Sequence, residues 1–211
     1  MTMVTSAPSR LQRKKDTVRV RILTSAIRLF TERGFQQTTV EQIAAAADIG
    51  KGTIYNYFPA KEDILGAFLA DREQDLAAHA APLAQSPLPL AEILTAYVRL
   101  HLQMKEAHRD FVRVFFARMY SGDPAFLPFL RHFQTIVDPP LVTFLATLRE
   151  RGLLPDSTNI PALVQLFKQY QLSITTVWLF DEPPFERTYA LIPQQMGLLC
   201  RGLRSSPTAD S

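Results

Sequence analysis

Apolar residues recur with helical spacing along most of the chain. Val18, Ile22, Ala26 and Leu29 follow one another at intervals of three or four residues, which places them on one face of a helix. Gly34 comes after this stretch and suits the left-handed conformation that ends many helices. No segment keeps the strict alternation of apolar and polar residues that is typical of strands. The pattern therefore predicts an all-α protein of about nine helices.

A compact pair of helices is predicted directly after this first helix. Thr38 and Thr39 precede Glu41 and Gln42 by three residues, so either pair forms a capping box that starts a second helix. A turn over 48–50 then leads into a third short helix, which a proline stops. Two short helices joined by a tight turn, preceded by a longer helix, are typical of the helix-turn-helix motif.

The second half of the chain reads as a larger helical domain. A fourth helix is predicted over about 61–80, and Pro82, Pro87 and Pro89 indicate a linker. The further predicted helices cover roughly 90–106, 109–120, 124–150, 160–180 and 185–203. We expect Pro139 and Pro140 to split or kink the long segment and Pro193 to bend the last helix. The predicted domains are a flexible basic arm over 1–15, a helix-turn-helix domain over 16–61, a helical effector-binding and dimerisation domain over 62–204, and a disordered tail over 205–211.

Composition excludes several classes of protein. Of the 211 residues 47% are hydrophobic, which is ample for a packed core. The sequence lacks both a signal-peptide pattern and a run of about 18 uncharged apolar residues, so we expect a cytoplasmic protein that does not enter a membrane. Cys200 is the single cysteine, which leaves no internal disulfide and no cysteine-rich metal cage. We expect neither a metal nor a cofactor.

The charge is distributed unevenly along the chain. Residues 1–61 hold ten basic and four acidic residues, a net charge of +6, although the whole chain carries only +3. Residues 62–211 hold thirteen basic and sixteen acidic residues, a net charge of −3. Such an asymmetry is expected where one end of a protein meets a polyanion. A solvated basic tail gives the same charge pattern and stays open as the alternative.

The third predicted helix carries an unusual density of hydrogen-bond donors. Gly50 and Gly52 let the backbone come close to a phosphate at the start of this helix. Ile54 and Phe58 are four residues apart and dock the helix on the rest of the domain. Its polar residues suit a surface that packs on sugar-phosphate and reads bases; they are Lys51, Thr53, Tyr55, Asn56 and Tyr57. The alternative is that the two tyrosines pack in the core.

Residues 16–65 resemble the DNA-binding domain of the tetracycline-repressor (TetR) family. More than twenty positions agree with the family pattern, including Gly34-Phe35, Thr38-Thr39-Val40, Gly50-Lys51-Gly52-Thr53-Ile54-Tyr55 and Tyr57-Phe58. Two positions depart from the pattern. Asp48 replaces a turn glycine, and Ala60 replaces the usual capping residue before the fourth helix, which predicts a weak cap there.

The resemblance implies a role for each matching residue. Phosphate contacts are implied for Thr38, Thr39, Tyr55, Tyr57 and Lys61. Contacts with bases or adjacent backbone are implied for Lys51, Gly52, Thr53 and Asn56, beside Gly50 at the helix start. By the same analogy, Lys14 and Lys15 of the arm reach a neighbouring groove.

The resemblance also implies a homodimer on palindromic double-stranded DNA, with half-sites one helical turn apart. The last two helices usually form the interface in this family. The candidate contacts here are Val164, Gln171, Thr175, Leu191, Met196 and Leu199.

Family members commonly bind a small molecule in the second half of the chain, and eleven of the fourteen phenylalanines lie after residue 61. We expect an aromatic-lined, mainly apolar pocket. Its candidate residues are Tyr97, His101, Met104, Phe115, Phe116, Met119, Phe133, Tyr170 and Trp178. An ordinary aromatic core is the alternative. His101 and His108 make an incomplete metal site.

Three other functions compete with a ligand-responsive repressor. The first is an enzyme, but the chain contains neither a G-x-S-x-G elbow, nor a phosphate-binding loop, nor an H-E-x-x-H motif. The second is a DNA-binding regulator without a small-molecule effector, which acts as an activator or is controlled by a partner protein. The third is a membrane-surface protein, which fits the basic arm but leaves the helix with Tyr55 and Tyr57 unexplained.

Overall fold

The computed structural model describes residues 10–122 and 124–204, and their regular structure is entirely helical. The helices are α1 (Arg10–Arg33), α2 (Val40–Ala46), α3 (Lys51–Tyr57), α4 (Lys61–Ala84), α5 (Leu90–Glu106), α6 (Arg109–Met119), α7 (Leu127–Glu150), α8 (Ile160–Leu179) and α9 (Glu186–Arg204). One turn of 3₁₀ helix, Pro124–Phe126, precedes α7. The predicted all-α class with about nine helices is confirmed for this part of the chain.

Helix α1 begins earlier than the sequence pattern indicated. It includes residues 10–15, which were predicted to belong to a flexible arm, and that part of the prediction is wrong. Arginine, lysine and glutamine are good helix formers, so this basic stretch extends the helix instead of interrupting it. Residues 1–9 of the predicted arm and the predicted tail over 205–211 lie outside the described residues.

The chain divides into two compact units. The first contains the residues up to Leu69 together with Val114–Phe129, and the second contains Ala70–Arg113 and the residues from Leu130 onward. A division at residue 61 had been expected from the sequence. Helix α4 instead continues past that point, and Gly66 packs so closely on Phe129 that an added Cβ would lie 3.0 Å from the ring. This contact between distant segments explains why residues near 129 group with the first unit.

The turn between α1 and α2 is held by side chains that reach main-chain carbonyls. Gly34 adopts the expected left-handed conformation, with φ of 84°. The hydroxyl of Thr38 is buried and donates to the carbonyls of Gly34 at 2.9 Å and Leu29 at 3.2 Å. Thr39 and Gln42, one of the two predicted pairs, form the capping box that starts α2.

Prolines interrupt the helices less than predicted. Pro82 lies inside α4, Pro139 and Pro140 lie inside α7, and Pro193 lies inside α9. The expected linker therefore shrinks to the five residues between α4 and α5, and the expected split of the 124–150 segment is absent. Helix α7 continues through both prolines and carries buried residues near each end, Phe129 and Leu148.

The second unit is a helical bundle in which α5 packs on α8 and α9. Its most buried residues include Ile93, Phe167, Trp178 and Ile192. Arg109 closes the carboxyl end of α8, because its guanidinium donates to the carbonyl of Leu179 at 3.1 Å and to that of Asp181. Among the described helices none is long and apolar enough to cross a membrane.

Replacing Thr38 with valine tests the turn between α1 and α2. Valine keeps the shape of the side chain but removes the donor to the Gly34 and Leu29 carbonyls. We expect the free energy of unfolding to fall by about 1–2 kcal/mol, because two buried acceptors lose their partner. Urea denaturation followed by circular dichroism measures the change. Thr17→Val is the matched control, since its exposed hydroxyl bonds only the carbonyl of Arg13 and we expect a change below about 0.5 kcal/mol. Equal destabilisation by both substitutions would contradict this role for Thr38.

Candidate nucleic-acid interface

The turn between α2 and α3 fixes the direction in which α3 leaves. Asp48 adopts a left-handed conformation, with φ of 52°, as its position in the turn predicted. Arg21 of α1 holds this turn from the side, because its guanidinium donates to the carbonyls of Ala47 and Asp48. The same guanidinium lies 3.4 Å from the carboxylate of Asp48. The turn is therefore anchored to α1 as well as to its own helices.

One face of α3 is docked and the other is free. Ile54 is fully buried and Phe58, directly after the helix, is 5% exposed, as the sequence predicted. Lys51 and Asn56 are exposed, and the ring of Tyr55 is 44% exposed. The alternative in which Tyr55 packs in the core is therefore wrong. Thr53 and Tyr57 are half-buried at the edge of this exposed face.

Neither backbone conformation nor crowding requires glycine at the start of α3. Gly50 has φ of −71°, a conformation that any residue adopts. A Cβ added to Gly52 would meet no atom within 4 Å, so the fold itself leaves room for a side chain there. The absence of side chains at both positions keeps the backbone accessible, which is the property that a close phosphate contact needs.

An ion pair joins the two helices of the motif on the same exposed surface. Lys51 at the start of α3 contacts the carboxylate of Glu41 in α2, and the Lys51 ammonium lies 5.7 Å from the centre of the Tyr55 ring. The hydrogen bond from Lys51 lowers the pKa of Glu41, and the same bond raises the pKa of Lys51. Lys51 therefore stays protonated, and a phosphate has to compete with Glu41 for it.

Thr39 uses its hydroxyl both to cap α2 and to contact Glu41 on this surface. Its hydroxyl oxygen accepts from the backbone N–H of Gln42 at 3.2 Å, and the residue is exposed. A hydroxyl that accepts one hydrogen bond still has its own O–H to donate. This O–H contacts the carboxylate of Glu41 and helps to lower its pKa, so a phosphate has to compete with Glu41 for Thr39 as well.

Two of the predicted phosphate contacts are structural residues. Thr38 is 1% exposed and its hydroxyl is occupied, so the prediction that it contacts DNA is wrong. The ammonium of Lys61 donates to the carbonyls of Phe35 at 2.6 Å and Thr38 at 3.0 Å, and it lies 4.3 Å from the centre of the Phe35 ring. Burial lowers the pKa of Lys61, helped by the charge of Arg118. Lys61 thus closes the α1–α2 turn.

The fourth helix is capped despite the missing capping residue. Ala60 offers no side-chain acceptor, but the carboxylate of Asp63 accepts from its backbone N–H at 2.8 Å. This is half of a capping box, made from the third helical position. The Asp63 carboxylate therefore compensates for the weak cap that was predicted from Ala60.

The predicted effector residues are distributed over both units. Phe115, Phe116 and Met119 belong to the first unit, where the ring centres of Phe115 and Phe126 lie 6.2 Å apart. The other predicted residues belong to the second unit; they are Tyr97, His101, Met104, Phe133, Tyr170 and Trp178. The second unit alone therefore accounts for six of the nine predicted positions.

A polar cluster lies in the second unit and consists of Glu73, His101, Lys105, Gln171 and Thr175. Lys105 contacts Nε2 of His101 and donates to the hydroxyl of Thr175 at 3.2 Å. The side-chain amide of Gln171 lies 3.1 Å from Nδ1 of His101. Only His101 of this cluster was predicted to face a ligand. The sequence could have predicted that Lys105 lies beside His101, because the two residues are four positions apart and therefore on one face of α5.

Burial dominates the ionisation of the polar cluster. It lowers the pKa of His101 well below its usual range, and the charge of Lys105 acts in the same direction. It lowers the pKa of Lys105 to about 8, against the opposing charge of Glu73. Burial also raises the pKa of Glu73. No group of three or more potential metal ligands occurs among the described residues.

Most of the predicted dimer contacts point into their own subunit. Val164, Thr175 and Met196 are at most 2% exposed, and Gln171 is 9% exposed. These four residues form the packed interior of the second unit, so they cannot meet another chain and the prediction is wrong for them. Leu191 is exposed and Leu199 is half-buried. The assignment of the interface to α8 and α9 stays a prediction, but four of the six residues predicted for it are buried.

Comparisons with known proteins agree with a helix-turn-helix regulator. The family model described as bacterial regulatory proteins, tetR family, matches residues 22–68. The HTH-type transcriptional regulator RutR of Escherichia coli (strain K12) is 35% identical over 106 residues, which cover 49% of this chain and 48% of RutR. YhgD of Bacillus subtilis (strain 168), an uncharacterized HTH-type transcriptional regulator, is 23% identical over 171 residues, which cover 79% of this chain and 86% of YhgD.

A solved structure extends the similarity to the whole fold. Thermus thermophilus FadR, a TetR-family transcriptional repressor in complex with lauroyl-CoA, superimposes with a TM-score of 0.67 at 24% identity. The alignment covers 92% of this chain and 98% of that one. The match to RutR, in contrast, spans about half the length of RutR.

Residues 22–68 therefore carry the helix-turn-helix domain of the tetR family of bacterial regulatory proteins. The named relatives are transcriptional regulators, which agrees with a DNA-binding role for this domain. The residues matched by the family model include the whole of α2, α3 and the turn between them.

Substitutions in the Lys51–Glu41 pair should change DNA affinity in opposite directions. Lys51→Met removes a charged donor, and we expect binding to weaken about tenfold, since a charge-assisted hydrogen bond to a phosphate is lost. Glu41→Gln removes the carboxylate that competes for Lys51, and we expect binding to tighten.

Fluorescence anisotropy with a labelled duplex over a range of salt concentrations measures both effects. The slope of log K against log salt should fall by about one for Lys51→Met. Glu32→Gln is the matched control, because Glu32 pairs with Arg28 on the exposed surface of α1. The interpretation fails if Glu41→Gln behaves like this control or weakens binding.

Proposed function

We propose that the protein is a homodimeric repressor that binds a palindromic operator and is released by a small, mainly apolar molecule. The observation that carries the DNA-binding part is the free face of α3, which presents Lys51, Tyr55 and Asn56 while Ile54 holds the helix in place. In a helix-turn-helix protein this helix enters the major groove and its first residues contact base edges. Two such helices in a symmetric dimer read two half-sites.

Exposed apolar residues on the last two helices support a dimer. Leu166 and Val177 in α8 are 49% and 40% exposed, and Phe180 directly after α8 is 87% exposed. Leu191 and Leu198 in α9 are 36% and 62% exposed. Large apolar side chains gathered on neighbouring helices are typical of surfaces that another protein covers. We propose these residues, in place of the buried ones, as the dimer contacts.

The polar cluster in the second unit supports a small-molecule effector. Ionisable groups enclosed in an apolar helical bundle are costly unless they have a partner or a function. The similar Thermus thermophilus FadR is in complex with lauroyl-CoA, so a protein of this fold holds an acyl ligand. We propose that the present chain binds its effector in the second unit, beside His101 and Lys105.

The first experiment selects bound duplexes from a random DNA pool at near-physiological salt. We expect a palindrome with half-sites about one helical turn apart. Tyr55→Ala should abolish the enrichment, because it removes the largest exposed side chain of α3. The matched control is Tyr120→Ala, an exposed tyrosine outside the helix-turn-helix, which should leave the enrichment unchanged. No enrichment by a folded dimer would reject the proposed operator, whereas a single unrepeated site would reject its symmetry.

Leu198→Glu should shift the protein from dimer to monomer. The substitution places a charge on the proposed contact surface, where desolvation disfavours it. Sedimentation velocity measures the shift over a range of protein concentrations, and affinity for the selected operator should fall in parallel. Leu88→Glu is the control, because Leu88 is 40% exposed but lies in the loop before α5. A Leu198→Glu dimer as tight as the wild type would place the interface elsewhere.

A further inference from the structure

Helix α1 carries a line of exposed basic residues on one face. Lys14 follows Arg10 by four residues and Arg21 follows Lys14 by seven, so the three side chains lie one above another along the helix. All three are exposed, and together they form the basic stripe of α1. The residues that dock α1 on the domain occupy a different face and include Ile22 and Phe30, both fully buried. The stripe is therefore not needed for packing.

The contacts of Arg21 show where the basic stripe begins. Its guanidinium donates to the main-chain carbonyls of Ala47 and Asp48, which belong to the turn between α2 and α3. From Arg21 back to Arg10 the helix covers eleven residues, a length of about 16 Å at about 1.5 Å per residue. The stripe thus starts at the turn that leads into α3 and continues the surface of the helix-turn-helix in one direction.

The charge at the start of α1 is unfavourable for the helix itself. The amino-terminal end of a helix favours negative charge, because its first N–H groups have no partner within the helix. The first turn of α1 contains no acidic residue, and Arg10, Arg13 and Lys14 all lie within its first five positions. An anion at this end would be attracted by the helix dipole and by the basic side chains together.

The other end of the same face is electrically balanced. Arg28 follows Arg21 by seven residues, and its guanidinium lies 3.2 Å from the carboxylate of Glu32. The excess of positive charge is therefore confined to the amino-terminal half of α1, beside the turn that precedes α3. A row of basic side chains that continues a helix-turn-helix surface fits a partner with regularly spaced negative charges, and the backbone of double-stranded DNA is such a partner.

We propose that Arg10 and Lys14 bind backbone phosphates of the DNA that flanks each half-site, beyond the bases that α3 contacts. A helix of about 16 Å spans up to about five base pairs of duplex. Since phosphates carry no base sequence, these contacts strengthen binding for any flanking sequence. The inference goes beyond the proposed function and rests on its operator binding. Because residues 10–15 are helical, the two side chains are held at fixed positions on α1.

Two adjacent lysines provide a matched pair of variants. Lys14 lies on the basic stripe, whereas Lys15, also exposed, is rotated by about 100° around the helix. Lys14→Gln and Lys15→Gln remove the same charge from the same turn of α1, so their effects on net charge and on the helix dipole are alike. A difference between the two variants therefore reports a contact made by one face of the helix.

Fluorescence anisotropy with the selected operator, at several salt concentrations, measures this difference. We expect Lys14→Gln to weaken binding about fivefold. The slope of log K against log salt should fall by about one for this variant. Lys15→Gln should stay close to the wild type in both respects. Circular dichroism confirms that both variants are folded.

The length of the duplex provides the second test. One duplex extends about ten base pairs beyond each half-site, which exceeds the reach of α1, and the other ends at the half-sites. Trimming should abolish the difference between Lys14→Gln and the wild type, because the phosphates that Lys14 contacts are then absent. Exchanging the flanks for another sequence of equal length should leave the difference unchanged.

Several results would overturn the inference. Equal losses for Lys14→Gln and Lys15→Gln would reduce the effect to net charge, and wild-type affinity of the folded Lys14→Gln variant would exclude the contact. A Lys14→Gln defect that persists on the trimmed duplex would place the contact inside the half-site. In all three cases the wild type still binds its operator, so the proposed function stands. A folded wild type that binds no duplex would reject the proposed function and the inference with it.

Discussion

Helix α3 is too short to be stable by itself, and the arrangement of the first unit follows from that constraint. Its seven residues make about two turns, and isolated helices of this length do not persist in water. Packing has to supply the stability, and Ile54 with Phe58 supplies it from one side. Because these two residues hold the buried side of α3, the exposed side chains of Lys51, Tyr55 and Asn56 are not needed in the core. They are therefore available to a partner.

The second unit depends on a comparable constraint, which is the cost of enclosing charge. A buried lysine is stable only where donors and acceptors surround it, and Lys105 meets this condition through His101 and Thr175. These partners do not neutralise it, because His101 is itself uncharged at neutral pH. Glu73 acts on Lys105 with the opposite charge.

Local patterns predicted the local structure. The capping box of Thr39 and Gln42, the left-handed Gly34 and the docking residue Ile54 each depend on neighbours in sequence, and the structure has all three. The roles of Thr38 and Lys61 could not be predicted in this way. Their partners are main-chain carbonyls at and before the α1–α2 turn, and Phe35 lies 26 residues from Lys61 in sequence. Every residue has a main-chain carbonyl, so sequence spacing cannot show which one a side chain will reach.

Helix α8 shows why the remaining errors were unavoidable from sequence. Its apolar and polar residues are mixed on more than one side, so periodicity alone does not say which side meets its own subunit. The structure resolves this, because Gln171 and Thr175 turn inward to the polar cluster while Leu166 and Val177 remain outside. Large exposed apolar side chains that lie close together are typical of a surface that another protein covers. The inward side is covered by α5, and a second subunit is the partner that would cover the outward one.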